Sequence, residues 1–245
     1  MRVLVTDADD KKALAAIRSL GLRGVEVTAA GADRWGQGLY SRYAAHKIIY
    51  PSPAKQFEEW AAFMLEYLSR VKVDCVLSMS DYTSLALSKH LGEFEKHTAV
   101  PVPAYDVAVR TRDKYEMVQL AERLGIGAPK TWCPQSIEEA EDLSGRIEYP
   151  VVVKYRRGTG AIGVRYAHSR EEFAEVYKPR PQRPDAVFED TAPLVQEYID
   201  GEIHDVCVLC RHGEPRAALT QVRAEMWPPS GGRGVKDITT DEPAL

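Results

Sequence analysis

The sequence predicts an α/β protein with a parallel sheet over roughly its first hundred residues and mixed strand and helix pairs after them. Three observations predict this. Short apolar runs alternate with stretches of helical spacing in the first part; a glycine-rich hairpin lies at 150–169; and two alternating runs flank a turn near His212.

RVLVT (2–6) is a short apolar run suited to a buried parallel strand. Ala13, Leu14, Ile17 and Leu20 then recur at helical spacing, and Gly21 is expected to stop them. GVEVTAAG and HKIIYP supply further strands. Phe57, Trp60, Ala61, Met64 and Leu68 make a helical stripe, and VDCVLSMS is a strand leading to a helix cap at Ser80 or Asp81. This βαβ rhythm predicts a parallel sheet covered by helices. No glycine fingerprint follows the first strand, and TDADD (6–10) is an acidic, phosphate-repelling turn. A Rossmann-like scaffold without its usual dinucleotide site is therefore expected.

After Pro101 and Pro103, DKYEMVQLAERLG carries Met117, Leu120, Ala121 and Leu124 on one helical face, with Gly125 at the stop. Lys114 falls in the first turn, where a lysine opposes the helix dipole; a binding task and a solvated surface lysine are both open readings. KTW (130–132) is a short strand, and Ser136 and Glu139 have capping-box spacing at the start of the next helix. In PVVVKYRRGTGAIGVRYAHS (150–169), Gly158, Gly160 and Gly163 spell GxGxxG. A dinucleotide fingerprint should open a helix, whereas Val164 to Ala167 reads as a strand. The segment is then a hairpin loop whose backbone N–H groups can approach a polyphosphate, with Lys154 at the end of its floor strand, or a purely structural turn. SREEFAEVY is helical, and 178–193, with four prolines and no period, is a loop. LVQEYIDGE and then two antiparallel strands around a turn at His212 to Pro215 complete the reading.

A formal net charge of -4 leaves no broad basic footprint, which argues against a dedicated nucleic-acid binder. No apolar run approaches membrane-spanning length and MRVLVTDADDKK lacks a signal-peptide core, so a cytoplasmic chain without a membrane partner is expected. Cys75, Cys133, Cys207 and Cys210 read as reduced thiols. His204, Cys207, Cys210 and His212 spell HxxCxxCxH, a possible zinc set. Cys207 and Cys210 lie three apart on a strand, which points them to opposite faces and opposes joint ligation.

RDKYE (112–116), LGIGAPKT (124–131), YPVVVKYRRGTGAIGV (149–164) and LVQEYIDGE (194–202), in that order, resemble the ATP-grasp superfamily. The resemblance is strongest to carboxylate–amine ligases related to the carbamoyl phosphate synthetase large chain, biotin carboxylase and D-alanine–D-alanine ligase. It implies a Rossmann-like pre-ATP-grasp domain over 1–110 and a nucleotide-binding subdomain with a glycine-rich lid over 111–193. The start of the second ATP-grasp subdomain would occupy 194–245, leaving that α+β domain incomplete. Lys114 and Lys154 match the two lysines that contact ATP phosphates, and Gly158, Thr159, Gly160, Ala161, Ile162 and Gly163 match the lid. Gln196, Glu197, Tyr198 and Ile199 match the hinge, where backbone groups near Glu197 and Ile199 meet the adenine edge and Tyr198 supports the strand. Glu202 and His204 both qualify as the ribose contact, with Asp205 a third choice.

The family holds Mg²⁺ with a glutamate on a late strand and a downstream Asn-x-Arg-like stretch; no such stretch is present, and Glu225, Asp237, Asp241 and Glu242 are close to the nucleotide strands or in loop-like sequence. RAEMWPPSGGRG (223–234) resembles a substrate-facing loop, in which Arg223 offers a bidentate clamp for a carboxylate or acyl phosphate. A surface arginine beside Glu225 is the alternative. The resemblance implies ATP as cofactor, a carboxylate and an amine as substrates, and either an ATP-dependent ligase or a nucleotide-binding module completed by a partner chain or a second copy.

Overall fold

Leu4 and Val5 of the first apolar run are fully buried in β1 (Arg2–Val5), and the rest of the first unit is layered on that strand. The structure, a computed structural model, describes residues 1–158, 163–178, 192–227 and 233–242. These fall into two compact units, the first being Met1–Asp113 and the second beginning at Lys114. Asp10 caps α1 (Lys11–Leu22), its carboxylate accepting the Lys12 N–H at 2.9 Å. Then come β2 (Glu26–Gly31), a 3₁₀ turn at Gln37–Tyr40, β3 (Ala44–Ile49), α2 (Phe57–Arg70) and β4 (Cys75–Leu77). Helices α3 (Asp81–Lys89), α4 (Leu91–Phe94) and α5 (Tyr105–Thr111) close the unit. The sheet is parallel in the order β3-β2-β1-β4, as the βαβ rhythm predicts.

All five residues of the α2 stripe, Phe57, Trp60, Ala61, Met64 and Leu68, are buried. Burying a side chain of the size of Met64 stabilises by about 1.5–3 kcal/mol, and Trp60 adds an edge-on contact with Tyr50 at 5.8 Å. Gly21 does not stop α1 as expected. The helix runs to Leu22 because the missing Cβ at Gly21 makes room for Tyr43, and Gly24, at φ 74°, makes the turn instead.

Within TDADD, Asp7 turns inward. It sits at φ 55° with 8% exposure, at the C-terminal end of β1. Its Oδ2 accepts from Thr6 Oγ1 at 2.6 Å, Thr83 Oγ1 at 2.7 Å and the Met79 N–H at 3.2 Å. Its Oδ1 accepts from Ser80 Oγ at 3.0 Å and Tyr50 Oη at 3.3 Å, while its own N–H donates to Tyr50 Oη at 2.7 Å. Ser80 also caps α3, as expected, accepting the Thr83 N–H at 3.3 Å. One carboxylate therefore ties β1 to the chain after β3 and to the first turn of α3, where the helix dipole favours negative charge.

The second unit holds α6 (Lys114–Arg123), β5 (Thr131–Trp132), α7 (Ile137–Ser144), β6 (Val151–Tyr155), β7 (Arg165–Ala167), α8 (Arg170–Val176) and β8 (Pro193–Glu197). Its first sheet is antiparallel, in the order β5-β8-β6-β7. Val151, Val153 and Val195 bury one face of it beneath Ala140 and Leu143 of α7 and Phe173 of α8. Ser136 and Ser169 cap α7 and α8. Glu139 and Glu172 close each cap on the N–H of the residue before it, Gln135 and His168, both at 2.7 Å, one place earlier than a capping box has it. Along α6 the expected apolar face is not buried: no residue of the helix is, and Leu124 beyond its end is 64% exposed.

A second sheet is built from β9 (His204–Arg211), β10 (Glu214–Trp227) and β11 (Arg233–Thr240), in the order β11-β10-β9. His212 and Gly213, at φ 53° and 80°, form the two-residue turn that suits a tight hairpin. Asp237, read as lying in loop-like sequence, is instead on β11 opposite Arg223. Among the described residues no helix is long and apolar enough to cross a membrane.

Replacing Asp7 by alanine leaves several buried donors without an acceptor. The expected loss is about 3 kcal/mol of unfolding free energy, read as a lower urea midpoint with an unchanged denaturant slope.

Candidate functional site

Strand parity builds the floor of the site. Side chains alternate along β6, so Val152 and Lys154 share the face opposite buried Val151 and Val153. Cross-strand pairing adds Gln196 of β8 and Tyr166 of β7, both opposite Val152. These residues, with His168 and the segment that follows β8, line a cavity of about 810 Å³, to which Arg223 and Met226 of β10 contribute. That volume is in the range of small-molecule sites.

Cations gather at one end of this floor. Lys154 Nζ donates to Gln196 Oε1 at 2.5 Å. Burial, and then the charge of Lys114, push the Lys154 ammonium below the usual lysine range, so the two cations are close enough to repel. Lys114 is held there by the backbone: its N–H donates to the Arg156 carbonyl at 3.1 Å, and its Nζ to the Arg156 and Gly158 carbonyls at 3.2 and 2.8 Å. The first residue of α6 is thus fastened to the end of β6, which brings together two lysines distant in sequence. Gly158 and Gly163 have φ of 147° and 76°, and any Cβ at Gly163 would collide with the Tyr155 ring. Thr159, Gly160, Ala161 and Ile162 lie outside the described residues.

Gln196, Glu197, Tyr198 and Ile199 all line the cavity. Gln196 is buried, and Glu197 turns both its polar groups to β5: its N–H donates to the Lys130 carbonyl at 2.9 Å and its Oε1 accepts the Lys130 N–H at 2.8 Å. The Glu197 N–H is therefore engaged inside the protein, and the hinge stretch beyond it begins at Tyr198, which packs edge-on to Tyr166 at 6.0 Å. Of the ribose choices, Glu202 lines the cavity with an 82% exposed side chain, 3.6 Å from His204 Nε2. His204 buries its Nδ1 without a partner. The third choice, Asp205, is taken by Arg223, whose Nη2 donates to both carboxylate oxygens at 2.9 and 3.2 Å.

Arg223 is consequently not a surface arginine beside Glu225, which pairs with Lys236 at 3.1 Å. A break in the β10–β11 register between Arg223 and Glu225 separates the two. Arg223 reaches the cavity half-buried, held by Asp205, with its Nε unpartnered. Among the described residues no three His, Cys, Asp or Glu side chains are placed to hold a metal, and Cys207 and Cys210 pair with Leu219 and Pro215 along one strand. Tyr166, His168, Ile203 and Met226 line the site without having been read from sequence. The alternation of β7 across from β6 was the available signal for Tyr166.

Two ammonium groups at one end, a buried amide beside them and apolar walls beyond suit a polyanion joined to a planar apolar group. Residues 113–209 match the family described as carbamoyl-phosphate synthase L chain, ATP binding domain. The chain is 24% identical over 211 residues to a pyruvate carboxylase subunit of Methanothermobacter thermautotrophicus, covering 79% of this chain and 39% of that protein. The L-amino acid ligase of Bacillus licheniformis superposes with a TM-score of 0.70 at 14% identity, over 98% of this chain and 55% of that one. A biotin carboxylase–β,γ-ATP complex from Campylobacter jejuni gives 0.62 at 16% identity, over 90% and 53%. The chain spans about half the length of such solved structures and 6% to 39% of curated relatives such as the yeast urea amidolyase and the pyruvate carboxylase subunit. The fold and the matched segment together establish that the chain belongs to the ATP-grasp superfamily, with an ATP-binding domain of the carbamoyl-phosphate synthase large-chain type.

Proposed function

We propose that the cavity binds ATP with its triphosphate toward Lys154, Lys114 and the glycine-rich loop and its base toward the stretch around Tyr198 and Ile199. The observation that carries this reading is the convergence of two lysines at the end of β6, where Gly158 begins the loop. Fixed cations offset the charge that builds on the transferring phosphoryl group. Glu202 or His204 then serves the ribose.

The reaction we infer for the whole protein is carboxylate–amine ligation. A carboxylate oxygen attacks the γ-phosphorus and ADP leaves. The amine attacks the acyl carbon of the resulting acyl phosphate, loses a proton, and phosphate departs to leave an amide. Arg223, pre-aligned by Asp205, is the clamp for the carboxylate or acyl phosphate. Relatives named as a probable alpha-L-glutamate ligase and an L-amino acid ligase support this choice of chemistry. Magnesium accompanies ADP in the 2-oxoglutarate carboxylase biotin carboxylase domain of Hydrogenobacter thermophilus. The described residues do not offer it a carboxylate set, since Glu225 and Asp205 are engaged by Lys236 and Arg223. A second reading, a nucleotide-binding module completed by a further chain, is favoured by the half-length match to solved structures.

Lys154→Ala should weaken ATP binding about tenfold to a hundredfold, the worth of a charge-assisted hydrogen bond, in titration calorimetry. Unchanged affinity would remove Lys154 from the site. ADP release by the purified chain with Mg²⁺ and ATP, across a panel of amino acids, tests the ligase reading. Acceptor-dependent release supports it, whereas ATP binding without release under every pairing favours the module.

Burial of Lys154 also has a stability signature. Its folded pKa lies below the ordinary 10.5, so between the two values the unfolded chain holds more protons and folding stability rises with pH. Below that window the charged ammonium is a full burden on the fold. Lys154→Met should therefore raise the melting temperature of the nucleotide-free protein at pH 7 by a few degrees while losing ATP affinity. A lower melting temperature would mean that the hydrogen bond to Gln196 outweighs the desolvation.

A further inference from the structure

Behind Lys154 lies a polar chain whose direction is fully determined. Thr131 of β5 stands directly opposite Gln196 of β8, and Gln196 is in turn opposite Val152, two residues before Lys154 on β6. Thr131 Oγ1 donates to the Pro129 carbonyl at 2.8 Å. A threonine hydroxyl has one proton and two lone pairs, so toward Gln196 this oxygen can only accept. It does accept, from Gln196 Nε2 at 2.7 Å. Lysine ammonium is a donor only, and Lys154 Nζ lies 2.5 Å from Gln196 Oε1. Both ends therefore demand the same orientation of the amide. Turned over, it would set NH₂ against an ammonium and a carbonyl oxygen against a lone pair.

We propose that Thr131 is a positioning residue: through the Pro129 carbonyl it locks the Gln196 amide with its oxygen on Lys154, and so keeps that ammonium charged and aimed along the floor of the cavity. Gln196 acts here through its side chain, as a neutral cradle for the lysine. A carboxylate in its place would neutralise the cation that an anionic ligand has to meet; an amide oxygen steadies the charge and leaves it unneutralised. The setting calls for such support, because burial and Lys114 both favour loss of the proton. The short strand that carries Thr131 is held in register by the paired Lys130 and Glu197 contacts, which fixes where the hydroxyl sits.

The inference rests on the ATP reading for its functional consequence but not for its structural one, and the test separates them. The Lys154 ε-methylene signal is titrated by NMR in nucleotide-free wild type, Thr131→Val and Thr131→Ser, and ATP affinity is measured by calorimetry in the same proteins and in Lys154→Ala. Thr131→Val should lower the Lys154 titration midpoint and weaken ATP binding about tenfold, the worth of one net hydrogen bond. Thr131→Ser, which keeps the hydroxyl, should restore both. An unchanged Lys154 midpoint in Thr131→Val, or a serine variant that behaves like valine, overturns the positioning role. Wild-type ATP affinity in Lys154→Ala would instead sink the ATP reading, with the midpoint still deciding the role of Thr131. Should Thr131→Val not fold, Thr131→Ala is read in the same way, since it removes the hydroxyl without adding a methyl group.

Discussion

A lysine ammonium carried on the inner face of a four-stranded sheet is the constraint around which the second unit is arranged. Water that would solvate Lys154 is largely excluded, and the ammonium is the charge least at home there. Much of the surrounding structure answers that demand. The parity of β6 sends Val151 and Val153 into the core and Lys154 to the other side, so one strand serves both faces. Gln196 reaches across to it from β8, and β5, only two residues long, is kept in the sheet by contacts on either side of that glutamine. Shifting β8 by one residue would bury Glu197 and turn Gln196 toward α7 and α8.

The first unit solves a similar problem with the opposite sign. Asp7 is an anion at the end of a central parallel strand, and its neighbours are three hydroxyl side chains, a phenol and a backbone N–H. In both units a buried charge meets dipoles, with no counter-ion in direct hydrogen-bond contact among the described residues. A charge held in this way demands a particular geometry from several elements at once, and small displacements are costly. For Asp7 those elements are β1, the chain after β3 and the start of α3, which also positions the carboxyl ends of the strands.

Elements with strong periodicity were legible in the sequence. The α2 stripe, the parallel strands, the Ser80, Ser136 and Ser169 caps and the hairpin at His212–Gly213 all follow from local spacing and turn chemistry. What escaped depends on partners remote in the chain. Gly21 read as a stop because a glycine carries no sign that Tyr43 will rest on it. β11 lacks the alternation of a half-buried strand, and its membership is decided by its long pairing with β10. Lys114 and Lys154 could be named from motif order, whereas the link between Asp205 and Arg223 could not: the pair forms only once β9 and β10 are in register. Thr131 looked like an ordinary strand residue, since its part depends on where one hydroxyl proton points.

The carbonyl contacts of Lys114 carry a consequence for selectivity among nucleotides. In the absence of ligand its ammonium rests on the Arg156 and Gly158 oxygens, which act as a built-in stand-in for an anion. On the proposed reading, an incoming phosphate has to exchange with these dipoles, so the net gain is the difference between a full negative charge and two partial ones. A monophosphate too short to span the floor meets a cation that is already occupied and has little reason to leave. The exchange turns favourable only when a longer, more highly charged chain engages Lys154 and Lys114 together. The resting contact thus works as a threshold, set by the loop's own backbone, that separates triphosphate from the more weakly charged members of the same pool.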